Sequence, residues 1–316
     1  MKYDSLDHQA PEFKALLEKG NELVIRQFAN LDEEKAYRAP AQSEVVSWFD
    51  EALPEAGMDE ESLFQLVQDK IMDTATGNLG PHMYAYVMAG GTQMSIVAEQ
   101  LAATINQNVG KWHLAPAISE LEKRVVQWGA DMMQLGKDVG GVLVSGGSAA
   151  NLAGLTVARN LFLEKSEVRK QGLFGQKPLV VYASREVHGC VDKSLEVLGI
   201  GTDNLRKIDT NAAFEIDTQA LIEQIESDLQ NDLQPFCVVG TAGTVNTGAI
   251  DDLKSLRQIA DRYQMWFHVD GAYGGLAAAL PGLRPAYNGI ELADSVAIDF
   301  HKWLYQPFEV GCLLVN

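Results

Sequence analysis

The spacing of hydrophobic positions changes part-way along the chain. Up to about residue 75 these positions recur at helical spacing, beginning with Phe13, Leu16 and Leu17. From residue 141 onwards, short and continuous apolar runs alternate with helical patterns. The first part is therefore predicted to be helical, and the second part is predicted to be an α/β domain.

Seven apolar runs in the second part predict strands. They are continuous rather than alternating, which is typical of a mostly parallel sheet that helices bury on both faces. The predicted strands are 141–145, 179–183, 205–208, 236–240, 265–269, 294–298 and 310–315. The predicted helices of this part are 92–107, 116–135, 149–165, 188–197, 217–229 and 251–263.

The stretch 77–91 separates the two patterns, because its glycines interrupt any helix. Its aromatic residues are compatible with a loop that lines a ligand site and equally with a packed loop between domains. We therefore predict an N-terminal helical segment over 1–80 and a large α/β domain over 81–316.

Composition and charge narrow the set of partners and the compartment. The 316 residues carry a formal charge of −18, which argues against nucleic acid and anionic membranes as partners. Residues 1–8 lack the apolar segment of a secretion signal. The three cysteines have no CxxC spacing, so we expect neither a disulfide framework nor a metal site. These features predict a cytoplasmic protein.

A glycine-rich turn follows the first predicted strand. In open α/β sheets ligands bind at the carboxyl ends of the strands. Gly146, Gly147 and Ser148 lie there and lead into a helix, whose free N–H groups attract an anion. The turn is either a phosphate cradle or a simple glycine-rich turn with Ser148 as the helix N-cap.

Three other strand ends carry polar residues. Asp270 follows a strongly apolar strand, where a buried carboxylate needs a partner, and the small residue Ala272 leaves room for a flat ring. The alternative is that Asp270 caps a helix. Thr241 begins a hydroxyl-rich stretch that either binds an anion or forms turns. His188, taken alone, is typical of a surface residue at a helix start.

The last polar strand end carries Asp299, His301 and Lys302. A lysine ammonium at the end of a buried strand is costly to desolvate unless the amine has a function. On this stretch alone, Lys302 is compatible with a Schiff base to an aldehyde cofactor and with an exposed lysine. An anion cradle, a buried carboxylate and a lysine on one sheet together suit pyridoxal phosphate, with its ring nitrogen on Asp270 and its aldehyde on Lys302.

The order of these motifs resembles the pyridoxal-phosphate-dependent (group II) amino-acid decarboxylases. Gly147-Ser148, His188, His268 to Ala272 and His301-Lys302-Trp303 carry the resemblance, which runs from about residue 75 to the end. It implies the aspartate-aminotransferase-like fold (fold type I), with seven mostly parallel strands. It also implies a homodimer whose active site lies at the interface.

The resemblance implies a role for each matching residue. Lys302 forms the Schiff base, Asp270 pairs with the ring nitrogen, and His188 and Ala272 pack on the two faces of the ring. Gly147, Ser148 and His301 hold the phosphate, with Thr241 and Asp299 in the cofactor site and Tyr86 on the substrate side. Asp299 departs from the asparagine of the aromatic-amino-acid enzymes.

The implied activity is that of a lyase of amino-acid metabolism, which converts an L-amino acid to its amine and carbon dioxide. Transamination or aldol cleavage on the same fold, and an inactive cofactor-binding relative, are the alternatives. The substrate is not implied, because Val87-Met88-Ala89 replaces the Phe-Pro-Thr of the aromatic-amino-acid enzymes.

The end of the chain also bears on activity. Asn316 directly follows the predicted strand 310–315, whereas in the family a catalytic loop and a small C-terminal domain come after this point. We therefore expect a chain without these two parts, either as a fragment of a longer protein or as a truncated relative.

Overall fold

The computed structural model of the protein describes residues 9–38 and 40–316. The prediction of no secretion signal in residues 1–8 lies outside the described residues. The chain divides into two compact units, one within the first 90 residues and the other spanning Gly91–Asn316. The sequence-based boundary at residue 80 stays a prediction.

The N-terminal unit is helical, as its hydrophobic spacing predicts. Its helices are α1 (Ala10–Ala29), α2 (Gln42–Phe49) and α3 (Glu60–Leu66), which continues into a π-helical turn, Val67–Met72. The Asp59 carboxylate caps α3 by accepting the N–H of Ser62. None of the residues in α1, α2 or α3 is buried, so these three helices form little hydrophobic core of their own.

The second unit is built on the predicted seven-stranded sheet. Its strand order is β1-β7-β6-β5-β4-β2-β3, and only β7 runs antiparallel to its neighbours. All seven predicted strands are confirmed within a few residues. They are β1 (Gly140–Val144), β2 (Leu179–Ser184), β3 (Leu205–Ile208), β4 (Gln234–Thr241), β5 (Trp266–Asp270), β6 (Ser295–Asp299) and β7 (Gly311–Val315).

The second unit also contains helices, several of which cover the two faces of this sheet. Six of them confirm predicted helices, whereas α7 and α11 were not predicted, because four residues are too few to show a helical period. The helices are α4 (Gln93–Ile105), α5 (Pro116–Met133), α6 (Gly147–Phe162), α7 (Val168–Gln171), α8 (Cys190–Val197), α9 (Thr218–Gln230), α10 (Leu253–Tyr263) and α11 (Phe300–Trp303).

The two faces of the sheet belong to two hydrophobic clusters. In β2, Val180 and Tyr182 pack into the cluster that includes α5, α9 and α10, while Val181 and Ala183 pack into the cluster of α6 and α8. All four side chains are fully buried. Burial on both faces explains why the strands read as continuous apolar runs. Among the described residues, no helix is long and apolar enough to cross a membrane.

Candidate active site

The carboxyl ends of three parallel strands meet at one edge of the sheet. Thr241 at the end of β4 is paired with Asp270 at the end of β5, and Asp270 is paired with Ala297 of β6. Strand β6 ends two residues later at Asp299, and the single-turn helix α11 follows it and carries Lys302. The topology therefore brings together polar residues that are separated by up to about sixty positions in the sequence.

Lys302 is paired with a buried carboxylate. Its Nζ lies 2.8 Å from Asp299 Oδ2, and the Lys302 side chain is 19% exposed while that of Asp299 is 2% exposed. His301 Nε2 lies 3.7 Å from the same Asp299 oxygen. The backbone N–H of Val310 donates to His301 Nδ1 at 3.0 Å, which fixes the ring. The alternative of an exposed lysine beyond a strand end is wrong.

Two buried oxygen atoms at this edge have no hydrogen-bond partner among the described residues. They are Asp299 Oδ1 and Thr241 Oγ1. Burial raises the pKa of Asp299, and the nearby Lys302 ammonium opposes this shift. Since buried polar atoms are normally paired, these two atoms indicate a place where a ligand supplies hydrogen bonds.

The glycine-rich turn packs directly on this carboxylate. A Cβ on Gly147 would lie 2.7 Å from Asp299 Oδ2 and 2.8 Å from the Ala272 methyl group, too close for any side chain. Gly146 has φ +125°, a conformation that glycine adopts readily. Gly146 is the N-cap of α6 without a side-chain cap, so the alternative of Ser148 as N-cap is wrong. Ser148 lies exposed in the first turn.

Asp270 is 5% exposed, and its Oδ1 accepts the N–H of Ala272 at 3.1 Å. The segment that follows is a turn, and the next helical turn has Gly274 as its N-cap. The alternative of Asp270 as a helix N-cap is therefore wrong. The carboxylate is a buried group at the strand end with one described donor.

Asp251 supports Thr241, a role that no pattern in the sequence predicted. Asp251 Oδ2 accepts the N–H of Thr241 at 2.8 Å, and its Oδ1 accepts the N–H of Ile216 at 2.7 Å. The residue is 2% exposed, and burial raises its pKa to about 6. A single aspartate after Ile250 in a loop has no spacing that would reveal this role.

Two other predicted site residues, His188 and Tyr86, are both exposed. His188 is exposed just before α8, and its Nδ1 accepts the N–H of Cys190 at 3.2 Å. Burial raises the pKa of the Cys190 thiol to about 12, and the charges of Asp270 and Lys302 also act on it. Tyr86 lies exposed in the N-terminal unit, and its assignment to the substrate side stays a prediction.

Comparison with known proteins identifies the family. Residues 42–316 match the pyridoxal-dependent decarboxylase conserved domain. The chain belongs to the pyridoxal-dependent decarboxylase family. It is 31% identical to an aromatic-L-amino-acid decarboxylase of Bacillus atrophaeus, over 99% of this chain and 63% of that protein. It is 35% identical to a tryptophan decarboxylase of Oryza sativa subsp. japonica, over 81% of this chain and 52% of that protein.

A solved structure gives the same answer for the fold. The glutamate decarboxylase domain of diaminobutyrate-pyruvate transaminase and L-2,4-diaminobutyrate decarboxylase from Vibrio parahaemolyticus superimposes with a TM-score of 0.90 at 30% identity. The alignment covers 99% of this chain and 69% of that one. The predicted fold type I is confirmed. The chain spans 63% and 52% of the lengths of the two curated relatives.

The residues at the strand ends fit the family's cofactor, pyridoxal phosphate. Lys302 offers a primary amine, and Asp270 offers a buried carboxylate. Thr241 offers an unpaired buried hydroxyl, and Gly147 leaves a space that a side chain would fill. A charged Asp299 would repel a phosphate, but burial raises the pKa of Asp299, and a proton accepted from Lys302 would neutralise it.

Proposed function

We propose that this chain forms the cofactor-binding part of an enzyme that decarboxylates an L-amino acid, with pyridoxal phosphate attached to Lys302. The carrying observation is the position of Lys302 Nζ, 2.8 Å from the buried Asp299 at the edge where Asp270 and Thr241 also end their strands. A surface lysine would have no reason to be held by a carboxylate that is 2% exposed.

The neighbouring residues divide the binding of the cofactor between them. We assign the ring nitrogen to Asp270, because a buried carboxylate keeps such a nitrogen protonated. Gly147 and Ser148 begin α6, and His301 lies against Gly146. We assign the phosphate to Gly147, Ser148 and His301, and we assign Asp299 and Thr241 to the same cofactor site. His188 and Ala272 are assigned to the two faces of the ring.

The bound cofactor supplies an electron sink that weakens the bonds at the substrate's Cα. The chain contributes binding, orientation and charge. The Lys302 amine must lose a proton before it attacks an aldehyde, and Asp299 Oδ2 lies at hydrogen-bond distance to accept it. The negative charge of Asp270 would stabilise a protonated ring nitrogen, which we expect to be the largest electrostatic contribution.

A product assay separates this function from other reactions on the same fold. The purified chain, loaded with pyridoxal phosphate, is incubated with carboxyl-labelled aromatic, acidic and diamino L-amino acids. Where a product exceeds the level formed by a Lys302→Arg variant, which retains the positive charge, the proposal expects that product to be labelled carbon dioxide together with the matching amine. A keto acid in place of the amine would indicate transamination and would contradict the proposal.

We also propose that the protein forms a homodimer with the active site at the interface. Helix α4 supports this assembly, because Met94, Val97, Leu101 and Ile105 form an apolar stripe and each is more than half exposed. An exposed stripe of four large apolar side chains is typical of a surface that another protein covers.

Light scattering tests the dimer. We expect Leu101→Glu to convert a dimer to a monomer, whereas the control Leu229→Glu, at an exposed position of α9, leaves the mass unchanged. A monomeric wild-type chain, or a dimer that Leu101→Glu does not affect, would refute the assignment.

The compartment is proposed to be the cytoplasm. All three cysteines, Cys190, Cys237 and Cys312, are buried free thiols. Burial raises the pKa of the Cys312 thiol to about 12, so it stays protonated and unreactive. Thiols of this kind suit a reducing compartment. Fluorescence microscopy of a tagged chain in the producing cell tests the proposal, and export of the tag would contradict it.

A further inference from the structure

A row of buried hydrogen bonds connects strands β5 and β6 to the first turn of α6. Trp266 Nε1 donates to Ser295 Oγ at 2.8 Å. Ser295 Oγ lies 2.7 Å from His268 Nδ1, and His268 Nε2 lies 2.8 Å from Asn151 Oδ1. Asn151 Nδ2 then donates to the carbonyl oxygen of Gly147 at 2.8 Å. The row therefore ends on the backbone of a residue that lines the candidate site.

The Gly147 end of this row determines the direction of both bonds that Asn151 makes. A carbonyl oxygen only accepts, so the Asn151 amide nitrogen faces Gly147 and the Asn151 oxygen faces His268. His268 Nε2 must therefore carry a hydrogen. The Trp266 indole N–H only donates, so Ser295 Oγ accepts from it. The Ser295 hydroxyl could still either donate to His268 Nδ1 or accept from it, so the bond to Asn151 is the one that places a hydrogen on Nε2. The full burial of His268 disfavours a second hydrogen on Nδ1, so the ring is neutral, with its hydrogen on Nε2.

Burial and packing keep His268 in this state. The side chain is fully buried, and burial lowers its pKa to about 4, although the Asp270 charge acts in the opposite direction. Helix α6 lies directly against the ring, since a Cβ on Gly154 would come within 2.7 Å of His268 Cε1. The ring and the helix therefore fix one another in place.

The row connects the two ends of the proposed cofactor site. His268 and Asp270 are two positions apart on β5, so they lie on the same face of the sheet. Gly147 contacts Asp299 and Ala272 at the other end of that site. We infer that His268 is a positioning residue, whose Nε2–H acts through Asn151 to hold the first turn of α6 at a fixed distance from Asp270. This inference rests on the proposed function.

Two matched variants test the inference through cofactor affinity. In His268→Gln the amide nitrogen can replace Nε2 and donate to Asn151, whereas the shorter side chain of His268→Asn reaches only Ser295. We expect His268→Asn to weaken the binding of pyridoxal phosphate on the order of tenfold, because the Asn151 oxygen loses its donor. His268→Gln should bind within about threefold of the wild-type chain. Equal losses in both variants, or no loss in either, would overturn the inference.

The tautomer of His268 provides a second test, which is measured on the wild-type chain and so does not depend on the stability of a variant. We expect ¹⁵N spectra of the histidine-labelled wild-type chain to show one ring with a protonated Nε2 and a bare Nδ1, unchanged between about pH 6 and 9. Loss of this signal in His268→Gln assigns it. A ring with hydrogen on Nδ1, or on both nitrogens, would contradict the inference even if His268→Asn does not fold.

The same experiments separate a failure of this inference from a failure of the proposed function. If the wild-type chain binds pyridoxal phosphate and both variants bind it equally well, the positioning role is wrong and the cofactor assignment stands. If the folded wild-type chain does not bind pyridoxal phosphate, the proposed function is wrong, and the spectra still report whether the row of hydrogen bonds exists.

Discussion

Replacement of Gly147 by alanine adds one methyl group at the most crowded point of the candidate site. The new Cβ would lie 2.7 Å from Asp299 Oδ2 and 2.8 Å from the Cβ of Ala272. Both distances are well below van der Waals contact. Either Asp299 must move away from Lys302, or the first turn of α6 must move away from the strand ends.

The magnitude follows from the cost of overpacking a tightly packed interior. Inserting one methyl group at such a point costs about 1–3 kcal/mol. If the strain stays in the folded chain, the free energy of unfolding falls by this amount. If α6 moves to relieve it, the glycine turn is displaced and pyridoxal phosphate binds roughly 5- to 150-fold more weakly.

Two measurements and one control test this prediction. Urea unfolding gives the stability of the chain without cofactor, and fluorescence titration with pyridoxal phosphate gives its affinity. Gly282→Ala is the control, because no atom lies within 4 Å of the Cβ it would add. If Gly147→Ala changes neither stability nor affinity beyond Gly282→Ala, the close packing of Gly147 against Asp299 and Ala272 is wrong.

Two further predictions concern buried carboxylates outside the glycine turn. Burial raises the pKa of Asp251 from 3.8 to about 6, so the folded state holds this proton more tightly than the unfolded state. The free energy of unfolding should therefore fall by roughly 3 kcal/mol as the pH rises from about 3 to 7. Asp251→Asn should remove this fall in urea titrations, and a persistent fall would contradict the assignment. Asp228 accepts hydrogen bonds from Arg206 and from the Tyr182 hydroxyl and is 3% exposed, so Asp228→Ala should cost about 3 kcal/mol of stability. Its cofactor affinity at low temperature should equal that of the wild-type chain, and a weaker affinity would place Asp228 in the site.

The sequence predicted the sheet well, because strands that are buried on both faces have apolar residues at successive positions. Val180 to Ala183 are apolar at every position, since the two faces of β2 belong to two different hydrophobic clusters. The short helix α11 has only four residues, too few to show a hydrophobic pattern of this kind. Its first residue, Phe300, donates its N–H to the carbonyl oxygen of Val310 just before β7, a contact that the sequence does not show.

The candidate site was predictable where the residue type alone restricts the chemistry. A lysine and an aspartate at apolar strand ends are unusual enough to single out Lys302 and Asp270. Asp251, Asn151 and Ser295 are ordinary residues by comparison, and their partners lie 10, 117 and 27 positions away, respectively, in the sequence. Only the folded chain reveals that Asp251 supports Thr241 and that Asn151 contacts His268.

The most direct test of the central claim is reductive trapping of pyridoxal phosphate on the purified chain. Addition of the cofactor should produce a visible absorbance band, and borohydride should then fix the label on the peptide that contains Lys302. Lys302→Arg keeps a cation beside Asp299 and should give neither the band nor the label. A folded wild-type chain that shows no band, or a label distributed over other lysines, would contradict the claim that Lys302 holds the cofactor.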